Sequence, residues 1–121
     1  MFREPSFFVY MLTNWSKTVL YTGMTNNLYA RLIEHWIGKE NSFTTRYMAH
    51  HLVWFEPTRY VLNAIEAEKT IKRYSRAQKE AIIREFNPEW RFLNEDIVGN
   101  WPPTPEQIAV VKERQGNGFG H

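Results

Sequence analysis

The sequence predicts an α+β domain built on a small mixed or antiparallel sheet. Three observations carry this. Two short runs rich in aromatic and β-branched residues, Phe7 to Leu12 and Val19 to Met24, follow one another near the start of the chain. Apolar residues then recur at helical spacing over long stretches. Two capping-box signatures, Ser75 with Gln78 and Thr104 with Gln107, mark later helix starts. A chain of 121 residues suits one domain and buries roughly two-thirds of its unfolded surface.

The elements follow in order. Phe7 to Leu12 and Val19 to Met24 are strands joined by the polar connection Thr13 to Thr18, a hairpin with a long loop. Thr25-Asn26-Asn27 offers an N-cap, because short polar side chains satisfy free helix amides. Leu28, Leu32, Ile33, Trp36 and Ile37 then define a helix that stops at Gly38. Lys39 to Tyr47 is polar and predicts a loop, and His51 to Glu56 predicts a third strand closed by Pro57. A helix is expected from about Tyr60 to Tyr74, another from Ser75 to Phe86 before Asn87-Pro88, and a short one from Thr104 to about Arg114. Residues 116–121, Gly-Asn-Gly-Phe-Gly-His, are expected to be a flexible tail.

Composition excludes several classes. The absence of cysteine removes disulfides, thiolate nucleophiles, Cys-ligated zinc and iron–sulfur clusters. The longest apolar run, Phe7 to Leu12, is far short of the ~20 residues of a membrane span. The N-terminus has no apolar signal segment, so a soluble cytoplasmic protein is expected. The net charge of +2 is unevenly spread: residues 1–84 carry 12 Lys/Arg against 7 Asp/Glu, and residues 85–121 carry 3 against 6. Lys69, Lys72, Arg73, Arg76, Lys79 and Arg84 are opposed only by Glu80 in their stretch, which suits a polyanion partner.

Some polar residues are out of place for a plain scaffold. Glu68 falls on the apolar face of its helix, with Ala64, Ile65 and Ile71. A carboxylate there needs a cation, a hydrogen-bonded partner or a metal, and Lys72 and Arg31 are the ordinary partners. Arg31 and His35 are four apart and share a helix face. Tyr10 and Tyr21 lie on the two strands of the hairpin, where core packing is the commoner fate of tyrosine. Together these side chains suit phosphate chemistry, since Arg binds phosphate oxygens bidentately and Glu holds a hard cation. His50-His51 point to opposite faces of a strand and make a poor metal pair.

These residues resemble the GIY-YIG nuclease superfamily, in particular its small stand-alone bacterial members. Phe8-Val9-Tyr10 stands for Gly-Ile-Tyr and Tyr21-Thr22-Gly23 for Tyr-Ile-Gly. Asn26 to His35 resembles the family's Arg-bearing helix, and Phe43 to Tyr47 its loop before the third strand. Ala64 to Lys72 resembles its Glu-bearing helix, and Asn87 to Trp90 its late Asn motif. Two positions depart from the pattern, Phe8 for Gly and Thr22 for Ile. The resemblance covers about residues 6–95 and implies a nuclease domain over residues 1–95 with a small, mostly antiparallel three-stranded sheet; residues 96–121 have no counterpart in it and are expected to be an extension with a short helix over 96–115 and the tail after it.

It also implies a metal-dependent DNA endonuclease in repair, recombination or processing. Glu68 would hold one Mg²⁺ or Mn²⁺, and Arg31 would bind a non-bridging phosphate oxygen. Tyr10 or Tyr21 would take the proton from the attacking water, His35 would assist, and Asn87 would orient the water or the tyrosines. Arg46, Tyr47, Lys69, Lys72, Arg73, Arg76 and Lys79 would grip DNA without reading sequence. No recognition module is evident, which implies low sequence specificity, selection of DNA by structure, or a protein partner that supplies specificity, with Trp101 and the last helix as a small interface. DNA is the family's substrate, and RNA stays open. The rival readings are a non-catalytic nucleic-acid-binding module of the same fold, and a protein-interaction domain in which Glu68 is a structural ion pair.

Overall fold

A computed structural model describes residues 6–115; the expected tail, 116–121, lies outside them. Strands β1 (Phe7–Thr13), β2 (Leu20–Thr25) and β3 (His51–Thr58) form one antiparallel sheet in the order β2-β1-β3. The helices are α1 (Leu28–Ile37), α2 (Phe43–Arg46), α3 (Val61–Arg73), α4 (Arg76–Phe86), α5 (Asn94–Val98) and α6 (Pro105–Arg114). No helix among the described residues is long and apolar enough to cross a membrane.

The central strand sorts the core by alternation. Tyr10 and Leu12 face one layer, packed with Leu28, Leu32 and Ile33 of α1, Val98 of α5 and Val111 of α6. Val9 and Met11 face the other, with Ala64 and Ile71 of α3 and Ile83 of α4. Helices therefore cover both faces of a three-stranded sheet. The caps work as the sequence predicts: Asn27 accepts from Ala30 N–H, and both capping boxes form. Gly38 ends α1 at a φ of 88°, where a side chain is disfavoured.

Three details depart from expectation. The polar stretch before β3 holds the four-residue α2, capped by Ser42. Pro57 lies within β3 and not beyond it, tolerable because β3 is an edge strand. Asn94–Val98, unassigned from the sequence, is helical.

The β1–β3 register shifts between Met11 and Leu12, which pair with Trp54 and Leu52 and leave Val53 as the extra residue of a bulge. The freed backbone is claimed by asparagines. Asn87 Nδ2 donates to Val53 O at 3.0 Å and to Arg91 O at 2.9 Å, and its Oδ1 accepts from Arg91 N–H. Leu52 N–H donates to Asn94 Oδ1, and Asn94 Nδ2 donates to His50 O. Both side chains are buried and cover the outer edge of β3. Asn87, expected beside the tyrosines, thus spends both its polar atoms on backbone. Replacing Asn87 by Ala should destabilise the fold by about 2–4 kcal/mol in urea unfolding, because buried carbonyls and an amide lose their partner. A variant of unchanged stability would contradict this structural role.

Candidate active site

The site forms where β2, the free edge next to β1, meets α1 from one face and α3 from the other. Register places Tyr10 opposite Gly23 and Leu12 opposite Tyr21, so both tyrosines share the α1 face. Gly23 is required there. A Cβ at this position would stand 2.6 Å from Tyr10 Oη and 2.7 Å from its Cζ. The phenol thus lies across the bare backbone of β2, the close approach that a glycine inside a strand permits.

Beyond Gly23 the phenol meets α1. Tyr10 Oη and His35 Nε2 are 2.9 Å apart, and His35 Nδ1 is 3.0 Å from Thr44 Oγ1. The two tyrosine rings are 6.3 Å apart, and His35 stands edge-on to both, at 5.8 and 5.5 Å. Arg31, one turn before His35, places Nε 2.8 Å from Glu34 Oε1. This ion pair holds a buried Nε, and the Tyr10 phenol also engages the guanidinium. A guanidinium lining an open cavity is suited to an anion.

Burial sets the protonation states. It raises the Tyr10 phenol well above its usual range, and the neighbouring Tyr21 and Glu68 add to this while Arg31 opposes it. It lowers the His35 imidazole to about 4, with the Arg31 charge and His50 acting in the same direction. Burial also works against the charge of Arg31, but Tyr10 and Glu34 outweigh it, and the guanidinium is held more firmly protonated than usual. At neutral pH the cluster therefore holds a protonated phenol, a neutral imidazole and a guanidinium cation.

Tyr21, Arg31 and His35 line an open cavity of about 340 Å³, with Glu34, Lys39, Ser42, Phe43 and Thr44 around them. Tyr10 is fully buried behind it. Glu68 does not line the cavity. It reaches the region from α3, its side chain is 23% exposed, and Lys72 Nζ lies 3.5 Å from Oε2. Its influence on the Tyr10 phenol is electrostatic. A larger concavity, between α3, α4 and β3, is bordered by Glu56, Glu66 and Glu85 and has no basic side chain, so it repels phosphate.

The expected DNA contacts divide. Lys69, Lys72 and Arg73 are exposed on α3, and Arg46 and Tyr47 are exposed at the end of α2. Lys79 is half-buried on α4. Arg76 is committed elsewhere: its guanidinium donates to Lys17 O, Thr18 O and Glu80 Oε2, which fastens the β1–β2 loop to α4. It is a structural clamp, not a free phosphate contact. Sequence reasoning missed Glu34 and Thr44, the partners of Arg31 and His35. A glycine inside a strand was the available signal for the Tyr10 crossing; nothing marks a threonine in a polar stretch.

The GIY-YIG catalytic domain model matches residues 6–81. The chain belongs to the GIY-YIG family. A UPF0213 protein of Syntrophus aciditrophicus (strain SB) is 39% identical over 83 residues, 68% of this chain and 93% of that relative. No solved structure matches. GIY-YIG is a nuclease-type family, and its substrates are nucleic acids. Of the two departures from the GIY-YIG pattern, Phe8 packs against Phe55 at 6.5 Å, whereas Thr22 is buried opposite Met11 with its hydroxyl unpartnered.

The low pKa of His35 makes stability depend on pH. Unfolded, the imidazole takes up a proton near 6.5; folded, it resists until about 4. The unfolded state binds more protons in that window, so stability falls as pH drops from 6.5 to 4. The loss from His35 is at most about 3 kcal/mol. Urea unfolding across this range should show a smaller pH slope for His35→Gln than for the wild type, with a residual slope from His50 and His51, which burial also lowers. Equal slopes would contradict the burial assigned to His35.

Proposed function

We propose that the protein is a metal-dependent endonuclease that hydrolyses DNA phosphodiesters with low sequence specificity. One observation carries the reading: the Tyr21 phenol, a neutral imidazole and the Arg31 guanidinium line one cavity, with the Tyr10 phenol buried behind it and the charge of Glu68 felt there. The basic face of α3 and Arg46 beside the cavity suit a phosphate backbone. Among the described residues no sequence-reading element stands out, which suits a role in DNA repair, recombination or processing, with any specificity drawn from DNA structure or a partner.

Arg31 binds a non-bridging oxygen of the scissile phosphate, and its fixed charge favours the transition state, where negative charge grows. Tyr21 lines the cavity and Tyr10 does not, so Tyr21 is the phenol placed to act as general base, its oxygen taking the proton of the attacking water once its own proton has passed to solvent. Tyr10 positions His35, and Thr44 holds the other ring nitrogen, so the imidazole keeps one orientation against the phosphate. Glu68 is the residue that would hold a Mg²⁺ or Mn²⁺ ion. The donor set fits a hard cation of this kind, which binds through one or two carboxylates and takes its other ligands from water and phosphate. No group of three His, Cys, Asp or Glu converges among the described residues, and Lys72 is a surface partner that can leave. When bound, the ion neutralises the scissile phosphate and stabilises the leaving 3′ oxygen.

Supercoiled and branched DNA incubated with Mg²⁺, Mn²⁺ or EDTA tests this. The expected result is metal-dependent nicking that Glu68→Gln abolishes while leaving DNA binding within about twofold, and that Tyr21→Phe lowers by about 100-fold or more. Salt-sensitive binding without cleavage of any substrate would favour a non-catalytic binding module instead. Full activity in Tyr21→Phe would remove Tyr21 as the base.

A further inference from the structure

The catalytic cavity continues into an exposed aromatic surface that the hydrolytic chemistry does not use. Phe43 forms one cavity wall. Its ring is inclined 27° to Tyr21 at 6.1 Å, and Tyr47 is tilted at 46° with its centroid 4.7 Å away. Phe43 and Tyr47 are 43% and 44% exposed. Large rings gain stability from burial, so two adjacent exposed ones need a reason.

Their support is rigid. Ser42 caps α2 through Thr45 N–H, and Lys39 N–H and Ser42 Oγ both donate to Thr45 Oγ1 at 2.8 Å. Thr44, next to Phe43, holds His35. The platform is thus fixed to the catalytic histidine through one residue. Arg46 and Lys39 are exposed beside it.

We infer that this platform stacks the base of an unpaired nucleotide next to the scissile phosphate, so that the enzyme acts on single-stranded or locally unpaired DNA. This deepens the nuclease reading and rests on it. With phosphate at Arg31 and Phe43 across the same cavity of about 340 Å³, one nucleotide spans from backbone to base. In a duplex each base face is covered by its neighbours, and only edges reach the grooves. A phenyl face has no partner there. An unpaired or extruded base offers its face to an aromatic ring whatever its identity, which matches a protein without a sequence-reading element. The flanking cations serve the adjoining phosphates.

Binding in EDTA separates this from catalysis, and also from any shift that Phe43 substitutions impose on Tyr21. Fluorescence anisotropy of labelled oligothymidylate and of a blunt hairpin duplex would be measured with the full chain and with Phe43→Ala, Phe43→Leu and Phe43→Trp. The single strand should bind more tightly than the hairpin. Ala and Leu at position 43 should weaken single-strand binding about tenfold and hairpin binding less than twofold, and Trp should restore it. Equal losses on both substrates, no loss on either, a preference for the duplex, or no binding at all would each overturn the inference. A chain that nicks DNA but is indifferent at Phe43 fails this inference alone. A chain that binds single strands through Phe43 and never cuts fails only the nuclease reading.

Discussion

The Tyr10 phenol crossing bare backbone at Gly23 is the contact on which the site depends. β1 is the middle strand, and its side chains would ordinarily end in a core layer. A glycine opposite Tyr10 lets the ring pass over β2 and deliver its oxygen to His35. That contact ties the sheet to α1, and α1 sets Arg31 one turn earlier. Thr44 then ties α1 to α2, which carries the aromatic wall. A chain of short contacts from the centre of the sheet to its edge thus fixes side chains drawn from four elements.

Two faces of one sheet meet at this edge. The tyrosines, Arg31 and His35 come from the α1 side, and Glu68 comes from α3 on the other. Only at the free edge of β2 can a residue beneath the sheet act on a phenol above it. Charge divides the surface along similar lines. Lys69 and Lys72 accompany Glu68, Arg73 stands two turns along from Glu66, and Glu56, Glu66 and Glu85 border the groove between α3 and α4. A polyanion is drawn to the first region and turned from the second.

Much of this was legible in the sequence because it is local. The i,i+4 spacing of Arg31 and His35, the caps at Asn27, Ser75 and Thr104, and the continuous apolar run of β1 each follow from a few neighbouring residues. Glu68 was visible as a carboxylate on an apolar face, although its side chain keeps partial access to water and pairs with Lys72. What escaped was long-range. The bulge at Val53 arises from pairing between β1 and β3, and it turns Asn87 and Asn94 into buried braces although asparagine ordinarily signals a turn. Arg76 sits in a basic run yet is consumed by two carbonyls 58 and 59 residues away. Composition counts charges; only the fold shows which are free.

The proposed activity needs one site assembled from both faces of the sheet. The most direct test is the position of Mn²⁺, read by anomalous scattering in a crystal of the protein with an uncleavable phosphorothioate oligonucleotide. A Mn²⁺ ion is expected at the Glu68 carboxylate, with Arg31 on the oligonucleotide phosphate beside it. A Mn²⁺ ion seated on Glu56, Glu66 or Glu85, or a phosphate held away from Arg31, would contradict it.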